Sequence, residues 1–220
     1  QFAAFLHEGW LLKKKLSSNI SNRRFDDLYD IALKAGAEGG KVLFTPPVST
    51  LDDTSPPLNE VPVFWNRLMN PRLEAMLGLR IDAPHPALAR FPTERYCDWQ
   101  WIDAIRLPAA ALGSRYIRAV NIEKAPAPIE PIVQAIDDWS RNFRLAVVFE
   151  CAVGSGRLMV CAPDVQNDLD ARPVARQLRR SLLDYMATDR FQPKVTLTAD
   201  QAKALWPVAG AAGPSPAPAP

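Results

Sequence analysis

The chain has 220 residues, 48% of them hydrophobic and 23% charged, with a formal net charge of +2. That is enough chain to bury one substantial core, with the composition of an ordinary globular protein. A charge so near balance gives no case for nucleic acid, whose binding needs a basic patch to displace counterions, and no run approaches the ~20 apolar residues of a membrane span.

Gln1 to Leu12 lacks the basic, apolar, small-residue order of a signal peptide, and no initiator methionine precedes it. The expectation is a piece of a longer protein. Residues 1–24 read as an irregular or partial N-terminal segment, with Lys13, Lys14 and Lys15 on a solvated face. Phe25 to Ala37 has helical spacing, acidic residues (Asp26, Asp27) in its first turn, and Gly36, Gly39 and Gly40 to stop it. Lys41 to Thr45 is a short apolar run ended by Pro46 and Pro47, hence a buried strand. Helix, glycine turn and strand make half of a parallel-sheet unit.

Val48 to Val61 reads as a proline-rich loop, and Pro62 to Asn66 as a strand end or helix start. Pro71 to Leu77 reads as a short helix with proline in its first turn and Gly78 as its stop. Ile81 to Pro92, with three prolines around His85, is a constrained loop with at most one helical turn. The stretch from Phe91 to Ile105 then concentrates aromatic and polar side chains more than any other, with Trp99 and Trp101 one residue apart. Trp99 to Ile105 suits a helix.

Tyr116 to Ile122 and Pro131 to Asp138 read as strands. Arg144 to Val153 and Arg157 to Ala162 are apolar strands joined by Gly154-Ser155-Gly156, where glycine supplies the positive φ of a tight hairpin. Pro173 starts a helix over Arg172 to Thr188, whose Val174, Ala175, Leu178, Leu182, Leu183 and Met186 form one apolar face. Thr198 and Gln201 predict a capping box on a short helix to Leu205. The Ala/Pro-rich residues 208–220 have nothing to bury and are expected to be disordered. The elements sum to a mixed α/β domain over residues 25–207.

No motif calls for a cofactor or a metal. The Gly154 turn precedes a strand and lacks the lysine of a phosphate loop, and two histidines with three cysteines in no ligand spacing assemble no zinc set. Cys151 and Cys161 lie in apolar strands, either as buried thiols or facing one another across the hairpin, so the compartment stays open. Cys97, His85 and Glu94 supply the residue types of a Cys-His-Glu hydrolase, but Cys97 does not follow a strand on a tight glycine turn. Glu94, Asp98 and Asp103 supply the carboxylates that a glycosidase would set roughly 5 to 9.5 Å apart. The competing account makes them caps or partners of Arg90 and Arg95. Trp99 and Trp101 suit either the face of a sugar ring or a core anchor. His85, between Pro84 and Pro86, reads as a loop brace, and Asp137 with Asp138 as a loop cap or a strand-end ligand site.

Several blocks occur in one order: Gly39-Gly40-Lys41-Val42-Leu43, Val63-Phe64-Trp65-Asn66, His85-Pro86-Ala87-Leu88-Ala89 with Phe91-Pro92-Thr93-Glu94, and Asp98-Trp99-Gln100-Trp101. Pro131 to Asp138, Phe149-Glu150 with Val153-Gly154-Ser155-Gly156-Arg157-Leu158, and Arg172-Pro173-Val174-Ala175-Arg176-Gln177-Leu178 follow. Together, over roughly residues 25–193, they resemble the C-terminal ancillary region of bacterial, β-galactosidase-like enzymes of glycoside hydrolase family 2.

The resemblance implies a mixed, mostly parallel sheet with helices on both faces. The implied frame is a class I glutamine amidotransferase-like or flavodoxin-like sandwich that lacks its first strand and leaves a sheet edge open. It also implies that catalysis belongs to a barrel, which this length does not hold. The chain is then non-catalytic, its partners being the other domains of a parent hydrolase, periplasmic or secreted, and an oligosaccharide. The carbohydrate-contact candidates are Trp99, Trp101, Trp65, Asn66, His85, Glu94 and Asp98. Two readings stand beside this one: a stand-alone amidotransferase-like hydrolase or small-molecule binder, and a structural interaction domain without ligand.

Overall fold

The computed structural model describes residues 4–6, 39–46, 55–58, 76–106, 117–138 and 141–205. Among them the chain builds one mixed sheet of eight strands: β1 (Ala4–Leu6), β2 (Lys41–Phe44), β3 (Met76–Ile81), β4 (Val120–Asn121), β5 (Val133–Asp137), β6 (Arg144–Val153), β7 (Gly156–Cys161) and β8 (Thr196–Leu197). Three helices accompany it: α1 (Trp99–Ile105), α2 (Pro173–Ala187) and α3 (Ala199–Ala204), with a 3-10 turn at Pro86–Leu88.

The strand order is β1-β2-β7-β6-β5-β3. β6 is the axis. Along its first half it pairs antiparallel with β5 and β4 on opposite edges, and along its second half with β7 (antiparallel) and β8 (parallel). Ten residues, apolar almost throughout, suit a strand covered on both faces and both edges.

One irregularity in β6 decides what each face carries. Gln134 pairs with Ala146, but the next residue back, Val133, pairs with Val148, so Val147 is an extra residue. Such a bulge inverts the inside-outside alternation beyond it. Leu145, Val147 and Val148 pack into the core on one face; Ala146, Phe149, Cys151 and Val153 pack into the core on the other. Glu150 is thereby turned onto the face covered by α2.

The first core is closed by α1, α2 and the 3-10 turn; the second by α3, β8 and the segment through Ile122 and Ile129. α2 begins with proline at its first turn, and buries Ala175, Leu178, Leu182 and Met186 at helical spacing. Each fully buried leucine contributes about 1.5–3 kcal/mol. Lys41 Nζ donates to Met186 O (2.8 Å) and Thr188 O (3.1 Å), placing a cation on the orphan carbonyls at the helix end. Ser181, buried in the same helix, accepts from Arg90 N–H (3.0 Å) and donates to Ala87 O (2.7 Å). It ties α2 to the loop after the 3-10 turn.

The α1, α2 and α3 helices, the capping box of Thr198 and Gln201, and the β6–β7 hairpin follow the sequence. Gly154 has φ +59° at the first central position of that two-residue turn, a conformation few side chains accept. Other expectations are corrected. Four of the seven strand pairings are antiparallel, so the sheet is not mostly parallel. The N-terminal segment is not wholly irregular: β1 pairs parallel with β2, Ala4 opposite Val42, and covers the edge expected to stand open.

The helix expected over Pro71 to Leu77 gives way, over its described residues, to β3. Gly78, at φ +151°, sits in a register shift against β5, so the glycine marks a bulge and not a helix stop. The strand expected over Tyr116 to Ile122 is regular only at Val120–Asn121. The helix at Phe25 to Ala37, the Pro62 to Asn66 segment and the tail lie outside the described residues.

Removing the Ser181 hydroxyl strands a backbone N–H and C=O in a buried setting. Ser181→Ala should lower stability by about 1–3 kcal/mol in urea denaturation. A change below a few tenths of a kcal/mol would show that the tie between α2 and the 87–90 loop contributes nothing.

Candidate functional site

Two regions carry the polar and aromatic side chains singled out by the sequence. The first is the surface around α1. Residues two apart on a helix lie about 200° apart, so Trp99 and Trp101 cannot share a face. Trp101 is 0% exposed; its ring packs edge-on against Phe91 at 5.1 Å and its indole N–H donates to Thr93 Oγ1 (2.7 Å). It is a core anchor, and no sugar ring reaches it. Trp99 is 87% exposed and Tyr96 61% exposed, on the outer side of the same short segment.

Glu94 is exposed nearby; Asp98 is the N-terminal flank of α1 and makes no side-chain cap. Asp98 Oδ1 and Asp103 Oδ2 are buried without a hydrogen-bond partner among the described residues. Gln100 Nε2 donates to Pro92 O (2.8 Å), fastening the helix to the loop before it. Trp65 and Asn66 lie outside the described residues.

The second region holds His85. It is a cleft of about 450 Å³ at the end of β3 and β5, where Asp82, His85, Glu130, Glu150, Tyr185 and Lys194 converge. They come from the loop after β3 (Asp82, His85), the segment before β5 (Glu130), β6 (Glu150), α2 (Tyr185) and the segment before β8 (Lys194). The His85 backbone N–H donates to Asp82 O (2.9 Å), and its Nδ1 accepts from Ala87 N–H (3.2 Å), which caps the 3-10 turn. In the neutral ring that leaves the proton on Nε2. Burial lowers the His85 pKa, opposed by Asp82 and reinforced by Arg190 and Lys194.

Tyr185, from α2, meets the His85 ring edge-on at 5.4 Å. Its hydroxyl lies 3.0 Å from Glu150 Oε2 and 3.1 Å from Arg190 O. One O–H cannot donate to both acceptors. If Glu150 holds a proton, it donates to Tyr185 and Tyr185 donates to Arg190 O, and both bonds are made. Burial favours that proton by raising the Glu150 pKa, against the lowering effects of the Tyr185 hydrogen bond and Lys194; burial, and the Glu150 charge when the carboxyl is ionised, raise that of Tyr185. Glu150 and Tyr185 went unrecognised in the sequence as site residues, because a lone acid in an apolar strand and a tyrosine on a helix face read as packing. A charged residue within a near-continuous apolar run was the available signal.

Cys97 does not line this cleft; it is half-buried against the first core, its thiol 3.8 Å from Asp98 O. Cys151 and Cys161 occupy opposite faces of the sheet, opposite Leu158 and Val148, so they do not face each other across the hairpin. Burial pushes the Cys151 thiol up to about 12 and raises Cys161 as well. Asp137 and Asp138 form no open strand-end site. Arg141 bridges them at 2.6 and 3.2 Å, and the Phe143 N–H donates to Asp137 Oδ2 at 2.9 Å. They brace the β5–β6 turn. Among the described residues no cluster of His, Cys, Asp and Glu suits a metal ion, and no helix is long and apolar enough to cross a membrane.

Thiol titration of the native protein with a disulfide reagent at neutral pH should register at most one group, Cys97, and three after denaturation; two or more fast thiols would contradict the burial of Cys151 and Cys161. The Glu150 carboxyl, higher folded than its ordinary 4.5, makes the folded state the stronger proton binder. Its contribution to stability is complete below pH 4.5 and is lost as pH rises through the folded value. Burial of His85 has the opposite slope, costing stability as pH falls below 6.5. Glu150→Gln should therefore flatten the decline of stability above pH 4.5 and leave the histidine-linked slope in place, as read from urea midpoints across pH. An unchanged profile would refute the raised carboxyl.

A search of curated proteins found no match to the chain. A family model described as a domain of unknown function (DUF8487) matches residues 24–207, and with that span covered the chain belongs to this family.

Proposed function

We propose that the chain is a non-catalytic ancillary module of a β-galactosidase-like, family 2 glycoside hydrolase, and that it contacts carbohydrate through the surface around Trp99. The observation that carries the reading is the division of labour in α1. Trp101 is sealed into the core and bonded to Thr93, while Trp99 stands almost wholly exposed on the same seven-residue helix. An indole held outward beside a buried anchor offers a flat apolar face whose burial by a ligand is favourable. Its flat face, with Tyr96 and the Glu94 carboxylate nearby, fits the C–H face and hydroxyls of a pyranose.

The ordered blocks of sequence that resemble the ancillary region supply the parent class, and the parallel strands β1, β2 and β7, with a core on each face, support an amidotransferase-like or flavodoxin-like sandwich as the underlying frame. The hydrolase alternative has less support, since Cys97 does not line the His85 cleft.

Calorimetry of the full chain against neutral oligosaccharides tests the proposal. Saturable binding should weaken at least tenfold in Trp99→Ala with the melting temperature unchanged. Trp101→Ala should cost about 3–5 kcal/mol of stability instead. Binding indifferent to Trp99, or turnover of a chromogenic galactoside by the chain alone, would overturn it.

A further inference from the structure

The His85 cleft does not end at His85. A second depression of about 550 Å³ lies beside it, lined by Arg80, Arg95, Gln134 and Arg144 among others, and the two share Asp82, Glu130 and Pro131. They adjoin at the end of β3 and the start of β5, where those three residues line both. Two adjoining chambers suit an extended ligand with repeating units more than a single compact one, and each falls within the roughly 300–1,000 Å³ of small-molecule sites.

The lining has a definite sign. Arg80, Arg95, Arg144, Arg190 and Lys194 set five cations against the three carboxyls of Asp82, Glu130 and Glu150. The cations are spread along both chambers. The lining also includes Pro84, Pro86, Pro128, Pro131 and Ile132, whose proline rings fix the backbone and offer flat C–H surfaces. Hydroxyl partners are also present: the Glu150 and Tyr185 pair, Gln192 and the Gln134 amide. The Gln134 carbonyl already accepts from Arg80 at 3.3 Å. A repeating ligand with apolar ring faces, many hydroxyls and spaced negative charges matches all three features.

We propose that this groove is a second binding site, separate from Trp99, for an acidic oligosaccharide whose ring carboxylates pair with Arg95, Arg190 and Lys194. The inference rests on the carbohydrate reading of the chain and adds to it the class of sugar and the place where it binds.

Calorimetry of the full chain with trigalacturonate, a neutral trisaccharide and tri-aspartate provides the test. Trigalacturonate should bind saturably, weaken as ionic strength rises, and lose at least tenfold affinity in Arg190→Ala/Lys194→Ala and in Arg95→Ala. These are exposed positions, and unchanged melting temperatures will show that the variants fold. Tyr185→Phe, which keeps the ring and removes the hydroxyl, should lose less. Trp99→Ala should leave trigalacturonate binding intact. No saturable binding of trigalacturonate, equal binding of tri-aspartate, or indifference to the cleft variants would overturn the inference. Neutral-sugar binding that depends on Trp99, with no trigalacturonate binding, would leave the surface reading standing while this one falls.

Discussion

The single extra residue in β6 is the constraint on which the rest of the molecule depends. β6 is covered on both faces, so its side chains must alternate between two apolar cores. With strict alternation from Leu145, the only acid in the strand would fall on the α3 side, with Ala146 and Val148, and Phe149 and Cys151 would turn to the α2 side. The bulge at Val147 shifts parity and delivers Glu150 to the α2 side, where Tyr185 reaches it. Apolar side chains tolerate the irregularity, because Val147 and Val148 both find room in the first core. The bulge thus places a polar group at the rim of a cleft while the sheet on either side stays paired.

The other wall of the cleft is held by equally specific means. His85 and Tyr185 belong to segments a hundred residues apart in sequence, and no sheet hydrogen bond joins them. Ser181 does: its two bonds to Ala87 and Arg90 fix the 3-10 turn against α2, and Gln177 and Asp184 add contacts to Arg90 from the same helix face. The surface ion pair with Asp184 adds little in water, whereas the buried serine leaves two backbone groups orphaned if it is lost. The edge-on packing of His85 on Tyr185 follows from that tie. Rigidity at the cleft therefore comes from buried hydrogen bonds and proline backbone, and charge is left at the rim to meet a ligand.

How much of this was legible in the sequence depends on the range of the interaction. Local signals read correctly: the apolar stripe of α2, the Thr198 and Gln201 box, and the glycine turn between β6 and β7 each need only a few neighbouring residues. Signals that depend on partners did not. Pro71 to Leu77 looks like a short helix stopped by Gly78, and pairing with β5 turns its described end into a bulged strand. Ala4 to Leu6 has no period of its own and becomes a strand because β2 offers an edge. The sequence leaves Trp99 and Trp101 each open to a sugar face or a core anchor, although helix geometry alone separates the two indoles. The candidate site was half legible: His85, Trp99 and Glu94 are on the surface or in the cleft as residues of interest. Tyr185, Glu150 and Lys194 come from three distant segments that no pattern along the chain could join.

The separation of the two regions has a physical consequence for any reading of the domain. The surface of Trp99 is apolar and aromatic, and its attraction for a partner scales with area and is insensitive to salt. The groove by His85 is charged, and its attraction is electrostatic and screened. A scaffold that carries both can hold a heterogeneous ligand at two points whose strengths respond to different conditions. Linked in one ligand, each contact raises the effective concentration of the other, so modest individual affinities suffice for secure capture. On the proposed reading that is a task for a rigid frame. The indole anchor of α1, the serine tie of α2 and the prolines of the cleft are set in one pair of cores, divided by β6 and its bulge.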